Sequence, residues 1–305
     1  MINIGCDIGK LEIDTHIGGK HYKFSNDIKG IQQLIAHCKE QEVARVVLGP
    51  TGGYERCLLK ELLRHQLPVA MVNPIYVRKF AGSRRDLAKT DKIDAKILSE
   101  YGEKMEPRIY EQKASFRVDL EALVSHRDTL VEMRKEERMR LSKNSLQLVS
   151  DSIKANIDHF DKQLELVEGA IEDLISANAQ KESEVLQTEK GICVQTSAVL
   201  IAYLPELGRL DNRQIVKLAG LAPMANDSGK RSSKRSIRGG RKRIRNALFT
   251  AALSAVKGNE KIKDFYNHLI AKGKLSKVAL TAVARKLLVI SNSKMRLFRE
   301  GKEYF

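Results

Sequence analysis

Asp91 and Asp94 stand three residues apart in Lys89-Thr90-Asp91-Lys92-Ile93-Asp94-Ala95. With Thr90 as a helix cap, both carboxylates fall on one face of the first helical turn. Such a pair can hold a hard cation such as Mg²⁺, or it can simply complement the positive end of the helix. Spacing alone favours the second use. Asp7 adds weight to the first. It closes an alternating run, Met1–Asp7, on the face opposite Ile2 and Ile4. A strand-end carboxylate with a downstream pair in an α/β frame is the layout of metal-assisted phosphoryl transfer.

The other chemical feature is cationic. Lys230, Arg231, Lys234, Arg235, Arg238, Arg241, Lys242, Arg243 and Arg245 occur in a stretch without an acidic residue between Ser228 and Asn259. Gly239, Gly240 and several serines keep it pliable. A segment of this kind neutralises phosphates and releases their counterions; a solvated basic loop is the plainer reading. Ser228 reads from its neighbours as a turn residue before Gly229. By position alone Ser232, Ser233 and Ser236 are its equals as hydroxyl nucleophiles. The histidines show no ligand spacing, and Cys6, Cys38, Cys57 and Cys193 form no Cys-x-x-Cys pair. Tyr54 lacks the partners of tyrosine-recombinase chemistry and is expected to pack behind Gly52-Gly53.

These residues need elements to position them. Met1–Asp7 and Glu12–Ile17 alternate with period two, and Tyr22–Phe24 completes an antiparallel meander. Ile28–Gln41 has helical spacing, Arg45–Leu48 is a buried strand, Tyr54–His65 a helix and Pro68–Val72 another buried strand. That order predicts a mixed sheet with helices on its faces. From Ala114 to Lys190 there is no proline and one glycine, Gly169. Phe160, Leu164, Val167, Ile171, Leu174 and Asn178 form a seam with a period near 3.5, the mark of a coiled coil or helical hairpin. The seam also suits a dimer contact. Glu189-Lys190-Gly191-Ile192 before a small-residue helix resembles half of a helix-hairpin-helix. Arg243–Lys257 and Leu275–Ile290 are expected helices, and the charged end, Ser291–Phe305, is expected to fray.

Composition bounds the partners. The chain has 305 residues, with 54 Lys+Arg against 38 Asp+Glu and a net charge of +16. This favours a polyanion such as nucleic acid or an anionic membrane surface. Hydrophobic residues make up 42% and aromatic residues 5%, without tryptophan, which suits long solvated helices beside a smaller core. No apolar run reaches the roughly 20 residues of a membrane span. Met1–Ile8 reads as neither signal nor transit peptide, and the scattered cysteines suit a reducing cytoplasm. In a prokaryotic cell the charge suits a nucleoid-associated protein.

Taken in order, four elements of the first half resemble the DEDD-type insertion-sequence transposases, a family that includes the Piv invertase and bridge-RNA-guided recombinases. They are Asp7-Ile8-Gly9-Lys10, Val46-Val47-Leu48-Gly49-Pro50-Thr51-Gly52-Gly53-Tyr54-Glu55, Val72-Asn73-Pro74 and Ala88-Lys89-Thr90-Asp91-Lys92-Ile93-Asp94-Ala95. Gly191-Ile192, Leu218-Ala219-Gly220-Leu221-Ala222-Pro223, Ser228-Gly229 and Arg245-Asn246-Ala247-Leu248 resemble its C-terminal domain. The resemblance, together with the central helical seam read above, gives three expected parts. They are a RuvC-like DEDD domain of RNase H fold (1–110), a helical coiled-coil region (111–187) and a mostly α-helical transposase domain (188–305). It also implies Mg²⁺ at Asp7, Asp91 and Asp94, and Ser228 as a nucleophile forming a phosphoserine link to DNA. Expected partners are donor and target DNA, a structured bridge RNA, and further copies of the chain as a dimer assembling to a tetramer.

One position departs from the family pattern. Gly49 stands where the acidic tetrad has glutamate. A disabled copy, an engineered or inherited substitution, and a replacement carboxylate from Glu12, Asp14 or Glu55 each account for it. Impaired catalysis with nucleic-acid binding retained is the expectation. A RuvC-type Mg²⁺-dependent nuclease and a binding-only protein are the alternatives.

Overall fold

Alternation in the opening residues builds three strands: β1 (Ile2–Ile8), β2 (Glu12–Ile17) and β3 (Lys20–Ser25). The computed structural model describes residues 1–84, 90–112, 114–143, 146–224 and 235–303. Its contacts divide the chain into two units, Met1–Gln112 and Lys113–Phe305.

In the first unit α1 (Ile28–Lys39) leads to β4 (Val43–Leu48), then α2 (Arg56–Arg64), β5 (Val69–Met71), α3 (Pro74–Ser83) and α4 (Asp91–Met105). The sheet order is β3-β2-β1-β4-β5. β1, β2 and β3 pair antiparallel, whereas β4 pairs parallel with both β1 and β5. Even-numbered residues of β1 join one core, in which Ile4 and Cys6 meet Ile31, Leu34, Leu58 and Leu62. Odd-numbered residues face α4. A Cβ on Gly5 would fall inside contact distance of the Ala95 carbonyl and the Ser99 amide. Gly102, on the helix, similarly leaves no room above Val47. Side-chain-free surfaces on both partners therefore let α4 lie close against the sheet. Ser99 Oγ donates to the Asn3 carbonyl at 2.7 Å and fixes the sliding register.

The second unit begins with α5 (Ser115–Leu141) and α6 (Gln147–Asn178). The pairs Arg127–Glu168 and Arg134–Asp161 show that these helices run antiparallel. Ile171 and Ile175 from the expected seam region share a core with Leu120 and Val124 of α5, so this part of the seam is used within the chain. The chain continues through α7 (Gln180–Gln187), α8 (Val194–Tyr203), α9 (Asn212–Leu218), β6 (Pro223–Met224), β7 (Ser236–Ile237), α10 (Lys242–Gly258), α11 (Glu260–Ala271) and α12 (Ser276–Arg299). The last helix corrects the expectation of a frayed end at Ser291–Phe305. Asn292 is fully buried. Its amide and carbonyl meet Gly208 N, Leu210 O and Asn212 Oδ1 at 2.8, 3.0 and 2.9 Å. A buried, saturated polar side chain ties the helix down well past Ile290.

Candidate active site

Backbone register sets up the site. Asp7 of β1 pairs with Asp14 of β2, which pairs in turn with Lys23 of β3. Leu48 pairs with Cys6, so Gly49 follows on the other side, level with Asp7. Above this row lies the N-terminus of α4. Thr90 does cap it, accepting from Ile93 N at 3.2 Å, and Asp91 and Asp94 occupy the first turn. Asp7, Gly49, Thr51, Arg78, Asp91 and Asp94 line one cavity of about 250 Å³. Residues far apart in the chain are thus brought together because α4 crosses the sheet with its positive end over the strand ends.

Several neighbours were not singled out by sequence. Arg78 Nη2 donates to Asp94 Oδ2 at 2.9 Å. It projects from α3, whose start is set by Asn73. The Asn73 side chain accepts from Ile75 N at 2.9 Å, and Pro74 occupies the first turn. Asn-Pro is a helix-start signal that could have revealed this element. Asn26 Nδ2 donates to the carbonyls of Gly9 and Tyr54 at 2.9 and 3.2 Å. It ties together the turns that follow β1 and β4. Tyr54, expected to pack behind the glycine turn, leaves 49% of its surface exposed.

The carboxylates weighed as replacements for position 49 have other partners. Glu55 accepts from Thr51 N, Thr51 Oγ1 and Gly53 N at 3.0, 2.8 and 2.9 Å. Burial pushes its carboxyl up, but hydrogen bonds from its own amide, Thr51 and Gly53 outweigh this and hold it below the usual carboxylate range. Asp14 is buried and accepts from His21 Nε2 at 2.6 Å when that nitrogen is protonated. Glu12 pairs with Lys23 at 2.6 Å. Asp14 and Glu12 do share a second recess with Asp7 and Asp91.

In the second unit, β6 and β7 pair antiparallel through Pro223–Ile237 and Met224–Ser236. Ser228, Lys230, Arg231 and Lys234 lie outside the described residues. Arg235, Arg238 and Lys242 are exposed. The three remaining basic candidates have intramolecular partners. Arg241 grips Glu206 in a fork, with Nη1–Oε2 2.6 Å and Nη2–Oε1 2.7 Å. Arg243 lies 4.7 Å from the centre of the Tyr203 ring and 2.8 Å from Asp128 Oδ2. Arg245 Nη1 donates to the Gly239 carbonyl at 2.7 Å. Gly191, from the expected hairpin turn, sits so close to Ala251 and Ala255 of α10 that a Cβ would clash. The turn is a packing contact between helices.

The residues that carry this geometry match two family models. One, described as a transposase of the DEDD IS110 type, matches residues 4–149; the other, the transposase IS116/IS110/IS902 family, matches residues 183–267. The chain belongs to the IS110-type transposases. It is 29% identical to the pilin gene-inverting proteins of Moraxella lacunata and Moraxella bovis, over 96% of this chain and 95% of theirs. An uncharacterized 43.6 kDa protein of insertion element IS110 from Streptomyces coelicolor is 25% identical over 52% of this chain and 39% of its own. Membership implies DNA recombination or transposition, with DNA as substrate. Among the described residues no helix is long and apolar enough to cross a membrane.

The DEDD family typically uses a divalent metal. The donor set of this IS110-type chain does not fit one as folded. Position 49 is glycine, Asp94 is engaged by Arg78, and among the described residues no three His, Cys, Asp or Glu side chains form a group that could hold an ion.

Proposed function

We propose that this transposase is a site-specific recombinase of an insertion sequence. It cuts and rejoins DNA through a phosphoserine at Ser228, works with a structured guide RNA, and runs slowly because its acidic cavity is one carboxylate short. The observation that carries this reading is the meeting of Asp7, Asp91, Asp94 and Gly49 around one cavity, in the order the family requires. The sheet of mixed direction supports a RuvC-like, RNase H-type domain. Exposed Arg235, Arg238 and Lys242 supply backbone contacts to nucleic acid without reading sequence, which suits a protein that leaves readout to base pairing. The working assembly is a dimer that pairs into a tetramer on two DNA duplexes.

The bond changes balance without net hydrolysis. Ser228 Oγ attacks phosphorus, the Oγ–P bond forms and the bond from phosphorus to the 3′ oxygen breaks. The serine proton is lost and the departing 3′ oxygen takes up a proton. A new 3′ hydroxyl then reverses these events on the same phosphorus.

Covalent trapping tests this reading. Protein, co-expressed RNA and labelled DNA are incubated with Mg²⁺, the cation implied by the family resemblance, and then denatured. A weak protein-linked band is expected, absent in Ser228→Ala and at least about tenfold stronger in Gly49→Glu, the equivalent of 1.4 kcal/mol. Among the described residues a Cβ at position 49 would meet Val72 O at 3.7 Å and Pro74 Cγ at 3.8 Å, ordinary contact distances, so a side chain can leave the backbone there without a clash. Free cleavage products without an adduct would instead identify a hydrolytic nuclease. Binding without cleavage, both in wild type and in Gly49→Glu, would identify a binding-only protein.

A further inference from the structure

We infer that Arg78 is a counter-cation resident in the acidic cavity, at Asp94, and holds down its affinity for divalent metal. This rests on reading the cavity as the family's acidic site, and it concerns what fills the place of the ion. A guanidinium is charged at every accessible pH and cannot neutralise itself by losing a proton. Arg78 Nη2 lies 2.9 Å from Asp94 Oδ2, and the Asp94 side chain is only 16% exposed. The Arg78 side chain is 46% exposed, so solvent screens part of that attraction while the less exposed carboxylate keeps the rest. A divalent ion seeking Asp94 must displace the guanidinium or bind beside a like charge. It gains nothing from position 49 in return, and Glu55, Asp14 and Glu12 already have polar partners.

The fold itself does not require this pair. Arg84 and Glu100 form a second ion pair between α3 and α4, with the same sixteen-residue separation as Arg78 and Asp94. Phe80 and Tyr101 add an edge-to-face contact between the same helices, with ring centres 5.5 Å apart. Both ties survive removal of the Arg78 charge. Position 78 is therefore free to act through its electrostatics at the cavity.

The test uses the full chain without nucleic acid and reads binding of Mn²⁺ from the electron paramagnetic resonance of the free ion. Wild type and Arg78→Lys, which keeps the charge, should bind Mn²⁺ weakly. Arg78→Gln should bind about tenfold more tightly, a change of 1.4 kcal/mol. The same gain should appear on adding Arg78→Gln to Gly49→Glu, and Asp94→Asn should abolish it. Arg78→Met repeats the measurement with a second neutral side chain, and circular dichroism checks each fold. Tight binding by wild type, equal to that of the double variant, overturns the inference. So does a failure of Arg78→Gln and Arg78→Met to tighten Mn²⁺ binding in the Gly49→Glu background. Because no DNA is present, a missing Ser228 adduct would count against the recombinase reading and leave this result standing.

Discussion

At the residue scale, a carboxylate's neighbours decide what it does. Glu55 has the right type to replace a missing glutamate and is close in sequence to Gly49, yet its oxygen is spent on the Thr51–Gly53 turn. Its titration follows from those bonds. The folded carboxyl is held below its ordinary value, so the ionised form stabilises the fold. That contribution is complete above the unfolded value, about 4.3, and is lost as pH falls through the lower folded value. Melting temperatures recorded from neutral pH down to about pH 3 should show this. Wild type should lose stability more steeply across the acid range than Glu55→Gln, whose amide does not titrate. Parallel curves would mean that the turn does not depend on the charge.

At the scale of elements, the decisive contact is α4 against the sheet. Gly5 and Gly102 remove side chains from both surfaces where helix and strands meet. This close approach carries Asp91 and Asp94 over Asp7 and Gly49. A methyl group on Gly5 must push against helix backbone, which cannot step aside as a flexible side chain would. Gly5→Ala is expected to cost about 1–3 kcal/mol or more. Denaturant unfolding would read the loss, and an unchanged midpoint would show that α4 can shift without penalty. The carboxylate constellation thus depends on a packing contact made by residues with no chemistry of their own.

At the scale of the whole molecule, the charge of +16 is unevenly committed. Arg241, Arg243 and Arg245 have partners within the fold, whereas Arg235, Arg238 and Lys242 face solvent. The two groups should separate experimentally. Neutralising Arg235, Arg238 and Lys242 together should reduce the salt slope of duplex DNA binding by about 2–3, at nearly 0.9 per phosphate contact. Arg241→Gln should instead lower the melting temperature, because it leaves Glu206 without its fork. A triple variant with the wild-type slope would place the DNA contacts elsewhere.

Much of this was legible in the sequence. Period-two alternation announced β1 and β2, the β-branched run at Arg45–Leu48 and the short apolar run at Pro68–Val72 announced β4 and β5, and the Thr90 cap announced α4. Local patterning and capping are written in neighbouring residues, so they survive without tertiary knowledge. The motifs of Asp7, Gly49, Asp91 and Asp94 likewise pointed to the family. What could not be read were contacts across long stretches of chain. Arg78 on Asp94, His21 on Asp14, Arg241 on Glu206 and Asn292 beneath the Gly208 turn all join residues separated in sequence. Each depends on which helix or strand lies beside which. The sequence determined the chemistry available, through residue types that no fold can change. Tertiary structure alone decided which of those groups meet, because hydrogen bonds and ion pairs act over a few ångströms and folding sets those distances.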